Sequence, residues 1–219
     1  MLTTVKTVAA AAGEMEPAVN AGLLLNGLTM GAQATQRIGR KVTLRSLMVN
    51  MCIRGAYDGA ADPAVPDGAV GAAVGHPEGQ YRVMIVLDKQ PNGQECVIPY
   101  NNGAGVTPAI ASAAGLYSLI VQQEQRGNTP RNLGNVKRFK MLYDERFSIG
   151  AQPAGLTSSV PGCTCLNIYK KFNIPIQYDT STNNGDVGDI KTNALWLIVH
   201  SEVPGIVFSA YARVRFTDA

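Results

Sequence analysis

Ile206-Val-Phe-Ser-Ala-Tyr-Ala-Arg-Val-Arg-Phe216 decides the fold. Ile206, Phe208, Ala210, Ala212, Val214 and Phe216 fall on one side of an extended chain. Ser209, Tyr211, Arg213 and Arg215 fall on the other. That two-residue period marks a strand with one face against a core and one toward water. A helix would need its apolar residues three and four apart.

The stretches upstream read the same way. Residues 193–200 (NALWLIVH) and 81–87 (YRVMIVL) are continuous apolar runs, as in strands buried on both faces. The run 41–53 alternates at its start and loses the alternation at its centre. Residues 136–143 (VKRFKMLY) read as a strand, with 147–149 as its tight hairpin partner, and 166–178 as one long strand or two broken near Asn173 and Pro175. Thr107-Pro108 can open a short helix reaching about Val121, with Gly115 weakening it. Long Gly-, Pro- and Asp-containing connections span 55–80, 94–135 and 179–192. Loops of that length are uncommon in compact domains and usually functional. Residues 1–35 carry no sustained period and read as an N-terminal arm, leaving 36–219 as the folded domain. Seven or eight strands, no long helix and no βαβ spacing predict an all-β chain. The expected architecture is an eight-stranded antiparallel sandwich, a single jelly roll with long inter-strand loops. An immunoglobulin-like sandwich, which wants shorter and more regular loops, comes second.

Composition agrees. Of 219 residues, 46% are apolar and 16% charged, against the usual ~25% charged, which excludes a mostly disordered chain. No window approaches 18 consecutive apolar residues, so no membrane insertion by a helix is expected. The Ala-rich start is interrupted by Glu14 and Glu16 and is not read as a signal peptide. The cysteines are Cys52, Cys96, Cys163 and Cys165, and the histidines His76 and His200. Cys163-x-Cys165 lacks the two-residue gap of a zinc knuckle, so thiols are expected rather than a disulfide framework or a metal site.

Net charge is only +3, from 19 basic and 16 acidic residues, but its distribution is uneven. Arg37, Arg40, Lys41 and Arg45 lie in a segment without acids. So do Lys137, Arg138 and Lys140, and likewise Arg213 and Arg215. With the strands lettered B to I from residue 41, these segments fall on B, D and I, which are neighbours in the B-I-D-G sheet of a jelly roll. A basic stripe would bind phosphates without reading sequence. The candidate nucleic-acid-binding residues are therefore Arg37, Arg40, Lys41, Arg45, Lys137, Lys140, Arg213 and Arg215. The competing reading is that strand-edge cations serve solubility. Tyr211 shares a face with Arg213 and Arg215, and Tyr169 adjoins Lys170 and Lys171; either could stack on a base, although cross-strand packing is the commoner use of such rings.

Other chemistry finds little support. Gly103-Ala-Gly-Val-Thr-Pro108 lacks the βαβ context and third glycine of a nucleotide loop. The polar run 179–189 has its glycine one place late for a calcium loop and Ile190 where the closing glutamate belongs. Two isolated histidines cannot supply a cupin-type metal site. No nucleophile–base grouping stands out, so no enzyme and no cofactor are expected.

Taken in order, several stretches resemble the capsid proteins of circular Rep-encoding single-stranded DNA viruses, the circovirus-like group. They are RIGRKVTL (37–44), YRVMIVLDKQPNG (81–93), PRNLGNVKRFKMLYD (130–144), YKKF (169–172), IPIQY (174–178), DIKTNALW (189–196) and RVRFTD (213–218). The resemblance implies a jelly roll that assembles with itself, about sixty copies to a closed icosahedral shell. It also implies a circular single-stranded DNA genome inside, a host receptor, residence in the virion and passage through the host nucleus during assembly. Members of that group usually begin with an arginine-packed arm, whereas residues 1–35 here hold one lysine and two glutamates. The alternative is a lectin-like β-sandwich binding module.

Overall fold

In the computed structural model, residues 2–8, 20–33, 35–55, 79–94, 96–98, 116–121, 130–149, 163–179, 184–201 and 206–218 are described. Their strands are β1 (Leu2–Val8), β2 (Asn20–Ala21), β3 (Leu23–Leu24), β4 (Lys41–Gly55), β5 (Gly79–Asp88) and β6 (Val97–Ile98). β7 (Phe139–Ile149), β8 (Cys163–Tyr178), β9 (Ile190–Thr192), β10 (Ala194–Ser201) and β11 (Ile206–Asp218) follow. One short helix, α1 (Leu116–Ile120), precedes β7; the expected helix start at residue 107 lies outside the described residues.

The strands form two antiparallel sheets, in the orders β1-β11-β4-β8-β9 and β3-β10-β5-β7, with β2-β6 as a small accessory pair. Lettering β1, β3, β4, β5, β7, β8, β10 and β11 as B to I turns these orders into B-I-D-G and C-H-E-F. That is the jelly-roll order, reached by wrapping strand pairs across two layers.

The lettering corrects the sequence reading. The strand starting at Lys41 is D, not B. The strand at Phe139 is F, not D, and lies in the opposite sheet. Strand B is Leu2–Val8, inside the stretch expected as an arm, and it pairs with β11 from Leu2↔Phe216 to Val8↔Ala210. Residues 139–149 form one strand rather than a hairpin. Residues 163–178 form one strand whose register to β4 shifts beside Arg45.

Alternation builds the core. On β11, Ala210, Ala212, Val214 and Phe216 are buried, and the residues between them are half-exposed. On β4, Val42, Leu44, Leu47, Val49, Met51 and Ile53 turn inward, the phase slipping by one where the bulge at Arg45 interrupts the ladder. β5 from Tyr81 to Asp88 and β10 from Ala194 to His200 are buried throughout. That explains their continuous apolar sequences, since neither face of the sheet meets water there. Phe139, Trp196 and Phe216 are all buried.

The cysteine expectation is also corrected. Cys52 and Cys165 face each other across β4 and β8 and form a disulfide, while Cys96 is a buried thiol. Burial pushes the Cys96 thiol up to about 12, so it stays protonated and unreactive at neutral pH.

Candidate nucleic-acid interface

The two sheets differ sharply in charge. Strands β1, β4, β8 and β11 carry Lys6, Lys41, Arg45, Arg54, Lys170, Lys171, Arg213 and Arg215 against one acid, Asp218. Strands β3, β5, β7 and β10 carry Arg82, Lys140 and Arg146 against Asp88, Asp144 and Glu145. The excess positive charge of the sandwich therefore belongs to one layer.

Antiparallel register sorts that layer's outward side chains into rows, because residues directly opposite share a face. Arg215, Ser46 and Lys171 form one row. Arg213, Met48 and Tyr169 form the next, and Tyr211, Asn50 and Asn167 the third. Successive rows lie about 7 Å apart, two residues along each strand. The Cys52–Cys165 disulfide makes a fourth row and ties β4 to β8. Arg213 leans on Met48, its Nη2 lying 3.8 Å from Sδ. Tyr169 is 53% exposed, so its ring is open to a ligand. Lys171 and Lys41 are exposed, and Arg213 and Arg215 half-exposed. Arg45, pushed out by the bulge, donates to Asn173 Oδ1 at 2.5 Å and Thr217 Oγ1 at 3.2 Å, which fixes its guanidinium at the rim.

Of the eight candidate residues, Lys41, Arg45, Arg213 and Arg215 thus belong to the sheet that carries this face. Arg40 is exposed just before β4, and its carbonyl accepts from Tyr178 N–H at 2.8 Å. Lys137 and Lys140 are exposed, but beside and on β7, in the other sheet. The expected stripe therefore splits, because the segment 137–140 leads into strand F.

Arg37 is a correction of another kind. It is fully buried. Its Nε donates to Leu28 O at 3.2 Å, Nη1 to Gly39 O at 2.9 Å and Nη2 to Asp179 O at 3.5 Å. The guanidinium sits 4.5 Å from the centre of the Tyr178 ring, a cation–π contact. Tyr178 in turn donates to Asn26 O at 2.7 Å, and burial pushes its hydroxyl well above the usual range, against the pull of Arg37. Arg37 pins the 25–40 strap to β8 and cannot reach a phosphate from there.

Lys171 and Asn167 join the face without being candidates from the sequence. A lone lysine in a strand carries no sign of its neighbours; only the β4–β8 register brings it beside Arg215. Lys170, on the opposite face, reaches across the sandwich to the Tyr143 ring at 5.8 Å.

Both aspartates of the other sheet are paired with arginines. Asp144 takes Arg82 in a two-point pair (Nε–Oδ1 2.7 Å, Nη2–Oδ2 2.8 Å) and Arg131 Nε at 3.0 Å. Asp88 takes Arg138 through both oxygens at 2.9 and 2.8 Å. Burial alone would push the Asp144 carboxyl up, but Arg82 and Arg131 outweigh it and hold it below the usual carboxylate range.

Among the described residues no cluster of three His, Cys, Asp or Glu could hold a metal ion, and no helix is long and apolar enough to cross a membrane. No protein-family model matches the chain, and no curated protein matches it.

Proposed function

We propose that the chain is a shell-forming capsid protein of the circovirus-like kind, which holds a single-stranded nucleic acid against the outer face of its β1-β11-β4-β8 sheet. The observation that carries the reading is the charge asymmetry of a jelly-roll sandwich: Lys41, Arg45, Lys171, Arg213 and Arg215 lie on the outward side of one layer, and the other layer's strands carry balanced charge. Phosphates pair with Lys41, Lys171, Arg213 and Arg215, and Tyr169 offers a stacking platform that any base can use. No arginine-rich arm is needed for that contact. In this reading copies of the chain tile a closed shell, the virion, of about sixty subunits.

Electron microscopy and size-exclusion chromatography of the purified protein test it. Uniform megadalton spheres with a raised 260/280 nm absorbance ratio are expected. A monomer at neutral pH and high concentration refutes it.

A lectin-like module is the second reading, favoured by the Cys52–Cys165 disulfide, since such bonds persist in oxidising surroundings. Particle size separates the two. A monomer that binds immobilised glycans supports the lectin.

A further inference from the structure

The rows on the outward side of β11, β4 and β8 are not uniformly basic. Arg215 and Lys171 flank Ser46 in the first, and Arg213 and Tyr169 flank Met48 in the second. Lys41 and Arg45 stand at the same end of β4. The third row, Tyr211, Asn50 and Asn167, carries no charge. Nor does the fourth, where Cys52 and Cys165 are exposed and joined by their disulfide.

That grading suits a nucleotide better than a bare polyanion. Phosphates gain from the cations of the first two rows and find none in the third. A nucleobase finds there what its edge needs, because a side-chain amide both donates and accepts.

The third row is placed to receive such an edge. Asn50 and Asn167 are exposed and stand directly opposite each other on β4 and β8, with Cβ atoms about 5 Å apart. Among the described residues neither side-chain amide is held by a hydrogen bond. Tyr169, also exposed, lies on the same strand and face as Asn167, one row or about 7 Å away. A base stacked on the Tyr169 ring, with its phosphate at the first row, has its far edge over the two amides.

An asparagine holds a base best through two hydrogen bonds, Nδ2–H donating to a ring nitrogen and Oδ1 accepting from the amino group beside it. Adenine alone among the four DNA bases has a ring acceptor on each side of its amino group, N7 on one and N1 on the other. Two amides straddling that group are both satisfied by it. Cytosine has such an acceptor on one side only, guanine has N1–H on one side, and thymine has no amino group. In a duplex the adenine N1 is taken by thymine, so the double grip exists only on a single strand. Building on the reading of this face as a nucleic-acid interface, we propose that Asn50 and Asn167 make it selective for adenine in a single strand, with Tyr169 presenting the base to them.

Fluorescence anisotropy of the full chain with labelled oligodeoxyadenosine, oligothymidine and oligodeoxycytidine of equal length tests this. The adenine oligomer is expected to bind about fivefold more tightly than either of the others, the low end for a bidentate pair. An oligomer of 7-deazaadenine, with carbon in place of N7, is expected to lose most of that gain, a readout that needs no variant. Asn50→Ala with Asn167→Ala is expected to bring the three oligomers within about twofold of one another. Its salt slope is expected to match the wild type, because no phosphate contact is removed, and a matching slope also shows that the face is folded. Equal affinities for the wild-type chain, full binding of the 7-deaza oligomer, or an adenine preference that survives the double substitution overturns the proposal. Equal but steeply salt-dependent binding refutes the base reading and leaves the phosphate-binding face intact; no binding of any oligomer overturns both.

Discussion

Replacing Lys41, Lys171, Arg213 and Arg215 by glutamine removes four cations from one face without touching an ion pair among the described residues. Two of the four are exposed and two half-exposed, so glutamine keeps most of the packing and the fold is expected to survive. Each phosphate contact on a single strand contributes about 0.7 to the slope of log affinity against log salt. Four contacts therefore flatten the slope by roughly 3 units. Between 50 and 200 mM salt, the wild type should lose roughly fifty-fold more affinity than the variant. Fluorescence anisotropy with a labelled oligothymidine across that range measures the slope directly. Lys137→Gln with Lys140→Gln removes two cations beside and on β7 and should leave the slope nearly unchanged. Tyr169→Ala should lower affinity by about 1–3 kcal/mol for the stacked base with no change of slope. A quadruple variant that keeps the wild-type slope, or a β7 pair that flattens it, refutes the assignment of the face.

Four further outcomes are expected. Arg37→Met strands three carbonyls and loses the Tyr178 contact, so chemical denaturation should show a loss of about 2–4 kcal/mol, with nucleic-acid affinity of the folded protein unchanged. Phe139→Ala, Trp196→Ala and Phe216→Ala should each cost about 3–5 kcal/mol; near-normal melting of all three would contradict their burial. Reducing Cys52–Cys165, with a sequence separation of 113, releases a long loop in the unfolded chain and should lower stability by about 4–5 kcal/mol, read as a drop in melting temperature under a non-thiol reductant. Asp144 has a folded pKa below its unfolded value of about 3.9, so its contribution is complete above that pH and fades as pH falls through the folded value. Asp144→Asn should therefore melt lower than wild type at pH 7, and the gap should narrow below about pH 4.

What could be seen in the sequence was what one strand says about itself. β11 announces its inward residues by alternation, and β5 and β10 announce double burial by the lack of it. What stayed hidden depends on which strands become neighbours. β1 does not announce itself as a strand, because Lys6 interrupts its short apolar alternation and Ala-rich sequence follows; its place depends on pairing with a strand more than 200 residues away. With strand B unread, the strand at Lys41 takes the letter B and the segment 137–140 the letter D, which sets that segment in the wrong sheet, while β11 keeps the letter I. Arg37 looked like a surface cation since nothing local reveals that Tyr178 lies beneath it. Cys52 and Cys165 looked unpaired because only the β4–β8 register sets them face to face. Arg213 and Arg215 were legible as a pair on one face; Lys171 beside them was not.

β11 also sets an order of events during synthesis. It lies between β1 and β4, hydrogen-bonded to both. The ribosome delivers those two flanking strands early and the strand that joins them last. Until residues 206–218 emerge, β1 has no partner in its own sheet, and β4 exposes one hydrogen-bonding edge. The nascent chain must therefore wait with that edge open, a state prone to capture by other chains. Completion requires a contact between distant parts of the sequence, which makes folding slow relative to helical proteins of similar size. Ribosome-bound chains halted before residue 206 should stay protease-sensitive across 41–55, and protection should arrive abruptly once the last strand is free to insert.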